Sequence, residues 1–406
     1  MASSLADAGR IAQTDTPRPV RHDGLVNPLE MLTLDDLHTR TSVKWRLYPP
    51  DVLPAFVAEM DVVLAEPVER AMTDALRRGD TGYPIGTGYV EALAAFASQR
   101  WGWDGIDVGR SLMVADVMTG VSEVLQLVTE PGSPVIVNPP VYPPFFAFVS
   151  KIGRRATDAP LGADGRLDLE ALGETFARAA ATGLPAAYLL CNPQNPTGTA
   201  HRPDELASVA RLAHEHGVRV VADEIHAPIV LDGARFTPYL SVEGAEDAFS
   251  VMSASKAWNL AGAKAGVVVA GADAEEDLER MPEVVGHGAS QMGALGHTAA
   301  LREGGDWLDE VLSGLSANRS HLAGELARRL PEVRLWEPEA TYLAWLDCRA
   351  LELGDDPAEV FLERGRVALG SGPTFGPGGA GHVRVTAATS KAVLSEIVER
   401  MASSVR

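Results

Sequence analysis

Hydrophobic positions along the chain alternate between two spacings. "EPVERAMTDALRRG" (66–79) places its apolar residues on one helical face, enters through a proline and stops at a glycine. "YVEALAAFASQRWG" (89–102) and "RPDELASVARLAHEHG" (202–217) read the same way. Between and after such segments lie short β-prone runs: "SLMVAD" (111–116), "PVIVN" (134–138), "AAYLLC" (186–191), "RVVAD" (219–223), "FSVMS" (249–253) and "AGVVVAG" (265–271). Their apolar residues do not alternate with polar ones, as expected of strands covered on both faces. Strands interleaved with helices predict an α/β architecture with a mostly parallel sheet between helical layers.

After residue 290 the texture changes. A long helical pattern, "DWLDEVLSGLSANRSHLAGELARRL", precedes strand-like "EVRLW" and "TYLAWLDC". A helix "PAEVFLERG", a Gly/Pro-rich loop "GSGPTFGPGGAGH", a strand "VRVTAA" and a terminal helix follow, predicting a smaller α+β domain. The expected division is a mobile tail over 1–26, a segment over 27–63 that joins the small domain and the site entrance, a large domain over 64–300 and a small one over 301–406. A chain of 406 residues exceeds what one core usually fills.

Apolar and charged fractions of 46% and 22% are those of a soluble globular protein. The net charge of -20 disfavours a surface that tracks nucleic acid, and no run of basic residues exceeds two. No apolar run is long enough to span a bilayer. Two cysteines, Cys191 and Cys348, supply neither a disulfide framework nor a zinc cluster, and suit a reducing cytoplasm.

Three stretches carry candidate chemistry. "CNPQNPTGT" (191–199) forces a turn after a strand, at the edge where open α/β sheets bind ligands. In "VVADEIHAPIV" (220–230), Asp223 and Glu224 close an apolar strand. "FSVMSASKAWN" (249–259) runs a strand into small hydroxyl residues and then Lys256. Taken singly, the first is a common turn, the second a capping or salt-bridging acid, the third a solvated charge. In order, they put an asparagine turn, an acid and a serine-flanked lysine at one edge of one sheet.

That order resembles the pyridoxal-phosphate (PLP) enzymes of fold type I, the aspartate aminotransferase superfamily. The resemblance implies that Lys256 forms the Schiff base with the cofactor aldehyde. Asp223 then pairs the pyridinium nitrogen, Asn195 bonds the phenolic oxygen and His226 supports that oxygen or the ring. Tyr142 in "NPPVYPPFF" stacks on the ring. For the phosphate it implies Gly120 and Val121 at a helix start, the hydroxyls of Ser253 and Ser255, and Lys264 where the family commonly has an arginine. Lys264 has a surface charge as its alternative reading. Arg384 in "GHVRVTAATS" matches the arginine that grips the substrate carboxylate. Tyr83 in "TGYPIGTGY" matches a tyrosine that reaches the partner subunit's cofactor, implying a homodimer with shared sites.

"RTSVKWRLYPPDVLPAFVAEMD" (40–61), "DEIHAPIVLDG", "SASKAWNLAGAKAG" and "ATYLAWLDC" are further similar to the MalY/PatB-type C–S β-lyases, cystathionine β-lyases among them. That subgroup usually reads "LPMWVADMDF" where this chain has Phe56, Glu59 and Val62, and "RLNFA" where it has "VRVTAATS". Phe56 and Asp61 are therefore expected beside the substrate. The implied reaction cleaves an L-cysteine S-conjugate by α,β-elimination to a thiol, pyruvate and ammonia. Amino-acid transamination, and β-elimination or decarboxylation-coupled deamination of a bulky cysteine conjugate, are the alternatives. A PLP-binding regulator is a fourth, although the first 26 residues are too short for a fused DNA-binding module.

Overall fold

A computed structural model describes residues 26–405, so the tail expected over 1–26 lies almost wholly outside the described residues. Thirteen strands occur among the described residues: β1 (Leu53–Pro54), β2 (Ser111–Val114), β3 (Pro134–Val137), β4 (Arg155–Asp158), β5 (Ala186–Cys191), β6 (Val218–Asp223), β7 (Phe249–Met252), β8 (Gly266–Ala270), β9 (Arg334–Trp336), β10 (Leu343–Asp347), β11 (Val367–Ala368), β12 (Gly370–Ser371) and β13 (His382–Thr386). The main sheet has the order β2-β8-β7-β6-β5-β3-β4, with β8 antiparallel to both its neighbours and the other pairings parallel.

Every residue of β3, β5, β7 and β8 is buried, which explains their unbroken apolar runs. Within β5, Leu189 and Cys191 join one core and Tyr188 and Leu190 another, so each sheet face is covered by its own helical layer. The sequence reading missed β4. Its residues, "RATD", sit at the sheet edge with exposed ends and lack the apolar run that reveals the inner strands.

The register brings the three motifs together. Cys191 pairs with Asp223, and Asp223 with Val251, so β5, β6 and β7 end at one edge. The asparagine turn, Glu224–Pro228 and the lysine loop leave from that edge side by side.

The second assembly is the antiparallel sheet β12-β13-β10-β9, backed by helices Pro357–Gly365 and Lys391–Ser404. Phe361, Val383, Val385, Ile397 and Met401 fill its core, together with Leu53 and Ala55. The parallel pair β1–β11 draws the N-terminal segment into it. Helix Gly305–Arg329 serves both assemblies: Leu308, Val311 and Leu315 pack in the core that holds Trp258, while Leu322 and Leu326 pack with the small sheet.

Gly198 closes the asparagine turn at φ +74°, and a Cβ there would lie 2.5 Å from Pro338 Cβ and 2.8 Å from the Ala340 carbonyl. That carbonyl contact is backbone and cannot swing away, while the Gly198 carbonyl accepts both the Glu339 and Ala340 amides. Gly198→Ala is predicted to destabilise the fold by about 2–4 kcal/mol, from left-handed strain and overpacking combined. Equilibrium urea unfolding checks this, as a lower midpoint at an unchanged slope.

Candidate active site

The converging loops enclose a cavity of about 250 Å³ lined by Lys256, Asp223, Asn195, His226, Tyr142 and Ser255, with Lys264 and Asp116 at one end. Asp223 is buried, and among the described residues its Oδ1 accepts only the Ile225 amide, at 3.1 Å. Burial pushes this carboxyl up to about 7, against the pull of that amide and of Lys256. Burial, assisted by the Arg384 guanidinium, brings the Lys256 amine down to about 8. Burial, then Lys256 and Arg384, push His226 down to about 3, so its ring is neutral; its Nδ1 has no partner among the described residues.

Arg384 projects from β13 and is buried. Its Nη1 donates to Asn195 Oδ1 at 3.1 Å and its Nη2 to the Phe56 carbonyl at 2.7 Å, while Nε is unpartnered. Asn195 is thereby oriented with its oxygen committed to Arg384, which leaves its amide nitrogen as a donor. Glu224 faces away from the cavity. It accepts from Asn192 Nδ2 at 2.9 Å, from the Tyr239 amide at 2.7 Å and from the Ser250 hydroxyl, tying together the ends of β5, β6 and β7.

A strap of irregular backbone, Phe56 to Met60, passes the cavity and contributes Ala58 to its lining, and side chains rooted elsewhere claim its carbonyls one after another. Besides Arg384 on Phe56, the Thr386 hydroxyl takes Val57 at 2.6 Å. Lys256 Nζ and the Tyr342 hydroxyl share the Ala58 carbonyl at 2.8 and 3.0 Å. Lys44 takes Glu59 at 3.1 Å, and Asn259 Nδ2 takes Met60 at 3.0 Å while its Oδ1 accepts the Met60 amide at 2.8 Å.

The structure corrects several sequence expectations. Gly120 and Val121 are buried and do not line the cavity: helix Val117–Val128 starts three residues earlier, and Gly120 N–H already donates to the Asp116 carbonyl. A Cβ on Gly120 would sit 2.9 Å from Val251, so this glycine lets the helix lie close on the sheet. Val117 and Met118 line the cavity instead, at the end of the helix where amides lack intrahelical partners. Asp116, whose side chain caps Thr119, was the overlooked start signal.

Ser253 is likewise withdrawn. Its hydroxyl donates to the Ala265 carbonyl at 2.8 Å and accepts the Ser255 amide at 3.1 Å, so it shapes the loop. Asp61 does not reach the cavity either. Lys44 and Trp45 hold both its oxygens, at 2.7 and 3.1 Å, in an ion pair whose side chains are 1% exposed. Val62 is buried in the core, and only Phe56, packed edge-on against Tyr48, is near the strap's Arg384 contact.

Lys264 is at the expected end of the cavity, half-exposed and 2.9 Å from Asp116. Burial of Asp116, which raises its pKa, is outweighed by Lys264 and the Thr119 amide, and the carboxyl is held low. Tyr83 lies away from the cavity and is 87% exposed, beside Ile85 at 99%, in a surface depression that also involves Glu283 and His287. Ala58 and Tyr342 escaped the sequence reading because a backbone carbonyl has no sequence signature, and a lone tyrosine reads as core.

Comparison with known proteins agrees with this geometry. The family model for aminotransferase class I and II matches residues 64–401. A Mycobacterium leprae protein named "Putative cystathionine beta-lyase" is 55% identical, over 92% of this chain and 97% of its own length. The cystathionine beta-lyase of Corynebacterium glutamicum is 32% identical, over 91% and 98%. A crystal structure described as a "putative plp-dependent beta-cystathionase", from Corynebacterium diphtheriae, superposes with a TM-score of 0.86 at 34% identity, covering 92% of this chain and 98% of that one. The fold is that of PLP-dependent enzymes of fold type I, and no described helix is long and apolar enough to cross a membrane. By family match, relatives and fold together, this chain belongs to the class I and II aminotransferase family.

Proposed function

We propose that the chain is a PLP-dependent carbon–sulfur β-lyase that converts L-cysteine S-conjugates, cystathionine among them, to a thiol, pyruvate and ammonia. The observation that carries this reading is the Lys256 amine in one cavity with Asp223 and Asn195, beside the buried Arg384, in a chain whose relatives bear the cystathionine beta-lyase name.

The cavity suits PLP. A buried carboxyl raised to about 7 with a single amide donor lacks a cationic N–H, which the cofactor's ring nitrogen provides. Lys256 would hold the cofactor covalently, Asp223 would keep its ring nitrogen protonated, and Asn195 and the neutral His226 would flank the ring oxygen. Tyr142 would cover the ring face. Helix-start amides of Val117 and Met118, the Ser255 hydroxyl and Lys264 would take the phosphate. When bound, PLP supplies an aldehyde for capture by an amine and an electron-poor ring that delocalises carbanion charge.

The chain's own groups do the rest. Arg384 binds the substrate carboxylate. Lys256, whose pKa burial has lowered to about 8 so that a fraction of its amine is free at neutral pH, removes the Cα proton. Breakage of the Cβ–S bond releases the thiolate, and hydrolysis of the remainder gives pyruvate and ammonia. Residues 64–300 would form the cofactor-holding body, with 27–63 and 301–406 closing over it. A homodimer is part of the same reading, with Tyr83 and its exposed neighbours reaching a second copy. Transamination would employ the same lysine, acid and arginine.

Incubation with cystathionine alone is predicted to release thiol and pyruvate in equal amounts, and Lys256→Ala to reduce the rate by about a thousandfold or more. Turnover that requires added keto acid and yields no thiol would overturn the lyase reading. A second expectation concerns pH. Below about 8 the Lys256 amine carries a proton and has no free lone pair, and above it the pair is available. The rate at which cofactor-free protein captures PLP, followed by absorbance, is therefore expected to rise with pH and level off above about 8.

A further inference from the structure

We propose that Phe375 is a positioning residue that holds Arg384 in its substrate-binding orientation and, through its backbone, ties the segment carrying Tyr142 to the same point. Phe375 lies in the Gly/Pro-rich loop 370–382, to which the mechanism above gives no part. Its ring is 2% exposed and lies beneath the Arg384 guanidinium, 5.1 Å from ring centre to carbon. The ring's other neighbour is Trp345, edge-on at 5.1 Å, which in turn stacks on His382 at 5.2 Å. The carbonyl of Phe375 accepts the Val141 amide at 2.9 Å, one residue before Tyr142.

The loop is built to make that placement possible. Gly370 pairs with Arg384 across the sheet, and a Cβ there would come within 3.1 Å of Arg384 Cβ, so its bare backbone leaves room for the long side chain. Gly372 and Gly379 approach so closely that a Cβ on either would be 2.1 or 2.0 Å from the other's carbonyl oxygen. Arg384 has two acceptors, and its Nε has none. A cation buried with an incomplete set of acceptors gains from an aromatic face. The ring restricts the guanidinium to one plane without occupying any of its N–H groups.

This inference rests on Arg384 being the carboxylate grip, so the test includes Arg384→Lys. Propionate, which has no amine to react with PLP, is the probe, and its affinity for the holoenzyme is read by calorimetry. Phe375→Leu is expected to weaken propionate binding and raise KM for cystathionine by about 3- to 30-fold, with kcat within about threefold and cofactor content unchanged. Phe375→Tyr, which keeps the ring face, is expected to recover most of the affinity. If the Leu variant does not fold, Phe375→Met makes the same comparison. Lower thermal stability in the ringless variants with unchanged propionate affinity would overturn the proposal, provided Arg384→Lys weakens binding. Unchanged affinity in Arg384→Lys as well would remove the underlying assignment of Arg384.

Discussion

The site depends on the unmet hydrogen-bonding capacity of one strand-like strap. Residues Phe56 to Met60 pass the cavity outside any sheet, so no neighbouring strand satisfies their carbonyls. A buried carbonyl without a donor costs about 1–3 kcal/mol. Five in a row demand donors, and the fold supplies them from Arg384, Thr386, Lys256, Tyr342, Lys44 and Asn259. All of these donors except Lys44, which lies 15 positions upstream of Glu59, are nearly two hundred or more positions downstream and are thereby drawn to one place. Just past the strap, the Lys44–Asp61 pair fixes its far end, and removing either partner would leave an uncompensated buried charge.

The electrostatics follow from the same convergence. The chain as a whole carries a net charge of -20, yet Lys256 and Lys264 line one cavity and Arg384 bonds Asn195 in its wall. Burial discourages the charged forms of Lys256, Asp223 and His226 alike. For Lys256 and His226 that serves the proposed chemistry, as a free amine for covalent capture and a neutral imidazole; Asp223 needs the ring cation beside it to offset the cost of its ionisation. Lys264 is held at the helix start by Asp116, so any anion there competes with a carboxylate that already occupies the ammonium.

Much of this was legible in the chain. The inner strands declared themselves because burial on both faces leaves unbroken apolar runs, and their turn and acid motifs fell at one sheet edge because parallel strands end in register. Polar β4 was hidden because an edge strand has no such run. The helix start expected at Gly120 and Val121 lies at Val117 instead, where the capping Asp116 marks it. Asp61 was placed near substrate by its sequence neighbours, but its contacts are set by Lys44 and Trp45, 17 and 16 residues away, and no local pattern encodes that pairing. The Gly/Pro-rich loop read as connection only. Its importance comes from close approaches between Gly372 and Gly379 and across to Arg384, which only the folded chain reveals.

The most direct measurement is reduction of the PLP-loaded protein with borohydride followed by peptide mass analysis. The account predicts a single pyridoxyl-phosphate adduct on the peptide containing Lys256, absent when that residue is alanine. An unlabelled chain, or a label on another lysine, would contradict it.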